Sequence, residues 1–306
     1  MNKVIVIAGP TATGKTALSV RLAKELGGEI VSADSIQIYK KLNIGSAKPA
    51  EEEKCGIPHY LMDFVEPDGV YSVADYVCDA KEKIDDILAR NKVPIIVGGT
   101  GLYISSLVDN VEFSDSEQDM SVRTRLQEEL AQIGADAMHA RLAKVDPVSA
   151  DAIHPNNTKR VIRALEIFET TGKTRTAYEA ESKLIKSPYD FCLIALNCDR
   201  ELLYDRINRR VDIMVDAGLF DEVEGLLCGG VSADSQSMQG IGYKEAVMAV
   251  RGENSKEESI ELIKKNSRNY AKRQLTWFRR GEYAWFDCLD EELYDKVRAH
   301  IGEFSI

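Results

Sequence analysis

Short runs of apolar, β-branched residues alternate with stretches of helical periodicity along the first hundred residues. Val4–Ala8 is an uninterrupted apolar run that stops at Gly9-Pro10, and Lys3–Ala8 reads as a buried strand. From Lys15 to Leu26 the apolar positions Ala17, Leu18, Leu22 and Leu26 recur on or near one helical face, and Gly27-Gly28 supply a stop. Glu29–Ala33 predicts a second strand, ending at Asp34. Ser72 and Asp75 have capping-box spacing and predict a helix that runs to about Arg90. Val93–Val97 is a third apolar run and ends in Gly98-Gly99-Thr100-Gly101. Strands alternating with helices imply βαβ units and a mostly parallel sheet.

After about Val111 the pattern changes. Glu112–Asp119 is polar and acidic and reads as a linker, and Val122 to about Gly172 carries helical signals and turns without a strand. Phe191–Leu196 returns to strand character, and the chain beyond Asp199 is mostly helical, ending in a short aromatic stretch, Tyr283–Phe286. The expected architecture is therefore an α/β core, residues 1–114 and 188–306, interrupted by an all-helical insertion, residues 115–187.

Candidate chemistry begins at the first strand's end. Gly9-Pro10-Thr11-Ala12-Thr13-Gly14-Lys15-Thr16 fits G-x-x-x-x-G-K-[ST] between a strand and a helix, the context a phosphate-binding P-loop requires. Its backbone N–H groups form an anion nest, reinforced by the helix N-terminus. Lys15 is placed to reach the terminal phosphate, and the Thr16 hydroxyl to ligate Mg²⁺. The fold class is thus a P-loop NTPase-like α/β core. An ordinary ATPase carries an acid at the end of another buried strand. Val93–Val97 ends in glycines, whereas the strand before Asp34 does end in an acid. Ligands sit outside the carboxyl ends of strands in such sheets, so the P-loop, Asp34 and Gly98–Tyr103 should share a crevice. Asp34 there either takes a proton or orients metal-bound water, unless it only caps a turn.

Composition sets limits on the rest. The 306 residues carry 39 basic and 50 acidic side chains, a net charge of −11, with 44% apolar residues. That is the balance of a globular enzyme, and no apolar run approaches the roughly 18 residues that span a bilayer. A five-residue apolar start is too short for a secretory signal, so a cytoplasmic location is expected. Cys55, Cys78, Cys192, Cys198, Cys228 and Cys288 lack zinc-pair spacing and read as thiols in a reducing compartment. The acidic total argues against a nucleic-acid partner, but its distribution argues for one. Between Leu262 and Gly281 the basic residues Lys264, Lys265, Arg268, Lys272, Arg273, Arg279 and Arg280 occur without any acid, while acids concentrate in Glu51–Glu53, Glu112–Asp119 and Asp287–Asp295.

Seven motifs then occur in order: the P-loop Gly9–Thr16, Asp34-Ser35-Ile36-Gln37-Ile38-Tyr39, Gly45–Pro49, Gly56–Asp63, Gly98–Tyr103, Gly240–Glu245 and Arg268–Phe278. With them the chain, from residue 4 to about 286, resembles the bacterial tRNA dimethylallyltransferase family. Two departures touch no proposed catalytic role: Thr13 stands where serine is usual, and Tyr60 where histidine is often found. The resemblance implies transfer of the five-carbon group of dimethylallyl diphosphate to N6 of the adenosine at tRNA position 37, beside the anticodon, with Mg²⁺ as cofactor and diphosphate as leaving group. It implies that Asp34 is the base, that Lys15 and Thr100 act at the reacting centre, and that Arg206, Arg209 or Arg210 adds positive charge. Its tRNA contacts map onto Asp34, Ser35, Ile36, Gln37, Thr100, Arg123, Lys159, Arg160 and Arg163. The expected partner is the anticodon stem-loop, gripped by the insertion, with the protein acting as a monomer and away from membranes. The other readings are transfer to a free adenine nucleotide, a P-loop kinase of a small metabolite, and an NTP-gated RNA-binding module. His59 and His154, both in turns near prolines, are expected to be structural or binding residues, and Tyr103, Trp277 and Phe278 to be core or pocket wall.

Overall fold

The computed structural model describes residues 2–111, 120–182 and 186–304. These form two compact units, one made of residues 1–107 with 188–306 and the other of residues 108–187. The acidic linker expected at 112–119 lies outside the described residues.

The first unit is built on a six-stranded sheet. Its strands are β1 (Asn2–Ala8), β2 (Gly28–Ala33), β3 (His59–Tyr60), β4 (Val93–Gly98), β5 (Tyr189–Asn197) and β6 (Ala284–Asp287), in the spatial order β3-β2-β4-β1-β5-β6. Every neighbouring pair is parallel. Parallel strands bury both faces, and β1 obeys this: Val4 through Ala8 are all fully buried. Ile5 and Ile7 pack with Leu18 and Leu22 of the helix Lys15–Leu26 and with Val297 and Ile301 of the helix Leu293–Glu303. Ala17, read as part of the apolar face of the first helix, is exposed instead, and Ser19, Val20 and Ala23 are buried. The helix Val73–Ala89 starts as its sequence dictates. Ser72 Oγ accepts from Asp75 N at 3.2 Å, and Asp75 Oδ2 accepts from Ser72 N at 2.8 Å.

The register fixes what meets at the carboxyl edge. Ala8 of β1 and Ala33 of β2 both lie opposite Gly98 of β4. A Cβ on Gly98 would fall 2.1 Å from the Ala33 carbonyl oxygen, so only glycine lets the ends of these strands close together. That closure brings three loops, beginning at Gly9, Asp34 and Gly99, to one edge.

At the opposite end of β2, Glu29 is 2% exposed yet charged. Arg90 donates to it twice at 2.7 Å, Lys92 at 2.6 Å and the Tyr60 hydroxyl at 2.8 Å. These bonds, those from Arg90 foremost, hold the Glu29 carboxyl down to about 2. A depressed carboxylate contributes stability above its unfolded value and loses it as pH falls through the folded one. Glu29→Gln is therefore expected to cost on the order of 2–3 kcal/mol at neutral pH. The gap to wild type should narrow between about pH 4.5 and pH 2, as read from urea unfolding across that range.

The second unit is helical throughout its described residues. Its helices are Met120–Ile133, Ala135–Val145, Pro147–Ala152, Thr158–Thr171 and Arg175–Ser182. They enclose their own core, with Leu126, Met138, Leu142, Val161 and Leu165 at its centre.

Candidate active site

The P-loop turns on two residues in left-handed backbone conformation, Ala12 (φ 65°) and Gly14 (φ 83°). Such reversals point successive N–H groups the same way. The helix after Gly14 has no side-chain cap, so its first N–H groups face the loop's concavity as donors for an anion. Thr13 is buried and its hydroxyl donates to the Pro10 carbonyl at 2.9 Å, a structural bond that serine would also make.

Lys15 Nζ donates to the Pro10 carbonyl at 2.6 Å. Enclosure of the ammonium, with the Arg210 guanidinium nearby, brings its pKa down to about 7, against the opposing pull of Asp34. Arg210 reaches the same place from the helix Arg200–Asp216, donating to Thr11 Oγ1 at 3.4 Å and to the Ala47 carbonyl at 3.2 Å. Arg206 instead donates to Cys288 Sγ at 3.4 Å, and Arg209, 76% exposed, pairs with Asp205. Of the three candidate arginines, only Arg210 touches the P-loop.

Asp34 follows β2 directly. Its Oδ1 accepts from Ile36 N at 2.9 Å and Gln37 N at 3.1 Å, so one oxygen does close a turn. Its Oδ2 makes no hydrogen bond among the described residues and is open to a ligand. Thr100 lies beside it: Thr100 Oγ1 accepts from Ser35 N at 3.1 Å, and Thr100 N donates to Ala33 O at 3.1 Å. Gln37 is partly exposed and anchored through its amide. Its amide donates to the carbonyls of Ser46 and Ala47, each at 3.2 Å. The 43–47 loop that offers those carbonyls is held by Glu222, whose carboxylate accepts from the N–H groups of Asn43, Ile44 and Gly45 and from the Tyr243 hydroxyl.

Two residues in this unit escaped the sequence reading. Gln274, on the helix Lys256–Phe278, is 5% exposed. Its Oε1 accepts from Thr11 N at 3.1 Å and its Nε2 donates to Gly99 O at 2.9 Å, which ties the P-loop to the Thr100 loop. Gly99 must be glycine for this, because a Cβ there would lie 2.2 Å from that nitrogen. Tyr270, one turn earlier, lies near Thr100, Gln274 and Asp34; burial and the Asp34 charge push its hydroxyl up to about 12, so it keeps its proton. The signal was present as the i, i+4, i+8 face Tyr270-Gln274-Phe278 within an otherwise basic helix. Trp277 and Phe278 do wall the region: Phe278 is buried, and Gly101 sits against the Trp277 ring. Tyr103 is also buried and stacks on Tyr76, with ring centroids 4.3 Å apart.

Thr16, with Ser32, Gln37 and His59 and the apolar Ile30, Met62 and Val97, lines a small cavity of about 30 Å³. No group of three His, Cys, Asp or Glu side chains that could hold a metal occurs among the described residues. Such a donor set fits Mg²⁺ carried in by phosphate oxygens and water, with one protein hydroxyl, rather than a dedicated cage. His59 bonds the Ile57 carbonyl oxygen at 2.8 Å, and His154 Nδ1 accepts from Asn156 N at 3.2 Å; both ties are local.

In the second unit, Arg123 donates to the buried Glu166 carboxylate at 2.9 and 3.2 Å, and Arg163 pairs with the same carboxylate at 3.2 Å. Lys159 and Arg160 are exposed on the same helix as Arg163.

The comparisons with known proteins agree with one another. The IPP transferase family model matches residues 37–281. A tRNA dimethylallyltransferase of Acetivibrio thermocellus is 47% identical over 312 residues, spanning 100% of this chain and 99% of that protein. One from Oceanobacillus iheyensis is 49% identical, spanning 99% and 96%. Among solved structures, the full-length tRNA isopentenylpyrophosphate transferase of Bacillus halodurans is 43% identical with a TM-score of 0.74, covering 100% of this chain and 98% of its own. A eukaryotic dimethylallyltransferase acting on tRNA is 32% identical with a TM-score of 0.81, covering 97% of this chain and 77% of its own.

Proposed function

This chain belongs to the IPP transferase family, and we propose from that premise that it transfers the dimethylallyl group of dimethylallyl diphosphate to N6 of the adenosine at position 37 of tRNA. The observation that carries the reading is the meeting of an anion cradle and a half-free carboxylate at one sheet edge. The cradle binds diphosphate. The carboxylate serves the nucleophile.

Breaking the allylic C–O bond sends negative charge into the diphosphate. Lys15, Arg210 and the N–H groups of the P-loop stabilise that charge in place, without reorganisation during the step. The Thr16 hydroxyl would be a ligand for Mg²⁺ there, and the ion would supply further Lewis-acid stabilisation. The exocyclic amine of adenine is a weak nucleophile, so positioning dominates. Asp34 Oδ2 accepts a hydrogen bond from N6 and takes its proton as the C–N bond forms. Thr100 and Tyr270 fix the far side of that carboxylate's surroundings, and Gln274 holds the Thr100 loop against the P-loop. The C–N bond replaces the C–O bond, and diphosphate departs. Reaching N6 requires the base to leave its stack, which anticodon-loop nucleotides do readily. The cradle residues, Asp34 and Gln274 all come from one chain, so the chemistry needs no second copy. No described helix is long and apolar enough to cross a membrane.

The basic helix supplies phosphate contacts in this reading, but not with all seven charges. Lys264 pairs with Asp212 and Glu261, and Arg268 donates to Asn208 Oδ1 at 2.6 Å. Lys265, Lys272 and Arg279 are exposed at seven-residue intervals, which puts them along one side of the helix. Lys272→Glu with Arg279→Glu is expected to reduce the slope of log affinity for tRNA against log salt by about 1.5. Lys264→Gln should leave it unchanged, and filter binding over a salt series measures both.

Nucleoside analysis tests the proposal. After incubation with dimethylallyl diphosphate, Mg²⁺ and unmodified tRNA, digestion and mass spectrometry should find the five-carbon adduct on the adenosine 3′ of the anticodon. Adduct on another nucleotide, or none, would overturn it.

A further inference from the structure

Two of the six cysteines stand together. Cys198 follows the last residue of β5 and Cys288 the last residue of β6, one step beyond the ladder pair Asn197–Asp287. Cys288 N donates to the Asn197 carbonyl at 2.8 Å, so the ladder continues to these positions. Adjacent strands lie about 4.8 Å apart, a backbone separation within the range a disulfide bridges. Cys288 packs against the buried cluster that holds Cys198, and burial foremost, then the neighbouring Cys288 thiol, pushes the Cys198 thiol up. Cys198 is 5% exposed and packs with Leu203, Ile207 and Ala271, whereas Cys288 is partly open to solvent. The Arg206 guanidinium donates to Cys288 Sγ at 3.4 Å.

We propose that Cys198 and Cys288 are a redox modification site, converted by an oxidant of the peroxide class into a reversible intramolecular disulfide. Cys288 sulfur attacks one peroxide oxygen, the O–O bond breaks, and hydroxide leaves, taking up a proton as water. The resulting sulfenic acid is resolved by Cys198. Its sulfur attacks Cys288 sulfur, the S–O bond breaks, and the thiol proton leaves with the oxygen as a second water. Two thiols and one peroxide thus give one disulfide and two waters. The pair is suited to this because the partly open thiol has both a solvent path and a shielded partner at the neighbouring position of the adjacent strand. The other four cysteines differ: Cys55, Cys78 and Cys228 are exposed, and Cys192 is buried within β5. Because the chain beyond Cys198 enters directly the helix that brings Arg210 to Thr11, the bond would lock the base of that helix to β6.

Peptide mapping tests this without reference to catalysis. The full-length reduced protein is treated with hydrogen peroxide, remaining thiols are blocked with N-ethylmaleimide, and tryptic peptides are analysed unreduced. The expected product joins the peptide 187–200 to the peptide 281–296, with fragmentation placing the link at Cys198. It should disappear after dithiothreitol and be absent from Cys288→Ser. In Cys192→Ser the link should persist, and in Cys198→Ser Cys288 should stop at the sulfenic acid or oxidise further. Wild-type Cys288 that reaches sulfinic acid without forming the link, or a link to Cys192 instead, would overturn the proposal.

Discussion

Asp34→Ala is expected to lower the single-turnover rate of dimethylallyl transfer by about 10²–10⁴-fold, the range for loss of a positioned general base. The dissociation constant for tRNA should change by no more than about threefold, because the effect lies in the transition state rather than in ground-state binding. The geometry sharpens the choice of variant. Asp34 Oδ1 is already engaged by the N–H groups of Ile36 and Gln37. Asp34→Asn can retain that turn through its amide oxygen while losing the base, so it separates chemistry from local folding. If the Asn variant turned over like wild type while Ala did not, Asp34 would be only a turn cap. Quench-flow with labelled donor, run beside tRNA filter binding, distinguishes the two.

Lys15→Met is expected to lower kcat/KM for dimethylallyl diphosphate by about 10²–10³-fold, as for removal of one preorganised donor to developing charge. The wild-type enzyme should also show a pH signature that the variant lacks. The Lys15 ammonium is held down to about 7, chiefly by burial and then by Arg210. Below that value it is charged and receives the diphosphate directly. Above it, binding must draw in a proton, so affinity should fall by up to about tenfold per pH unit. Titrating dimethylallyl diphosphate between pH 6 and 9 should therefore show a break near 7 in wild type. In Lys15→Met the remaining dependence should follow the ionisation of the ligand alone.

The chemistry-bearing loops were legible because each follows a strand whose apolar run is unmistakable. β1, β2 and β4 are largely buried on both faces and are followed directly by Gly9, Asp34 and Gly99, so these turns marked the edge where ligands bind. β3 and β6 were not legible. Two and four residues are too few to show a period, and the aromatic stretch at 283–286 proved to be most of the sixth strand. The choice among Arg206, Arg209 and Arg210 could not be made from spacing, since residues three and four apart share a helix side while their tips diverge. Burial resolves it: Arg210 is drawn into the cradle, Arg209 faces solvent, and Arg206 meets a thiol. Gln274 and Tyr270 were hidden by their neighbours. A helix with five cations between Lys264 and Arg273, followed directly by Arg279 and Arg280, reads as a polar surface, and the polar residues on its inner face look like part of that surface. Gln37, assigned to RNA by the resemblance, has an internal tie that spacing could not show: its amide donates to the backbone of the 43–47 loop. In the helical unit, Arg123 and Arg163 likewise pair with the Glu166 carboxylate, a tie that spacing did not show.

The central claim is that this cradle delivers a dimethylallyl group to tRNA. Its most direct test is to follow label from dimethylallyl diphosphate in one reaction containing Mg²⁺, tRNA and an excess of AMP, while measuring released diphosphate. The account predicts label in tRNA alone, one diphosphate released for each group transferred, and loss of both signals together in Lys15→Met. Efficient labelling of AMP, or diphosphate release unmatched by labelled tRNA, would contradict it.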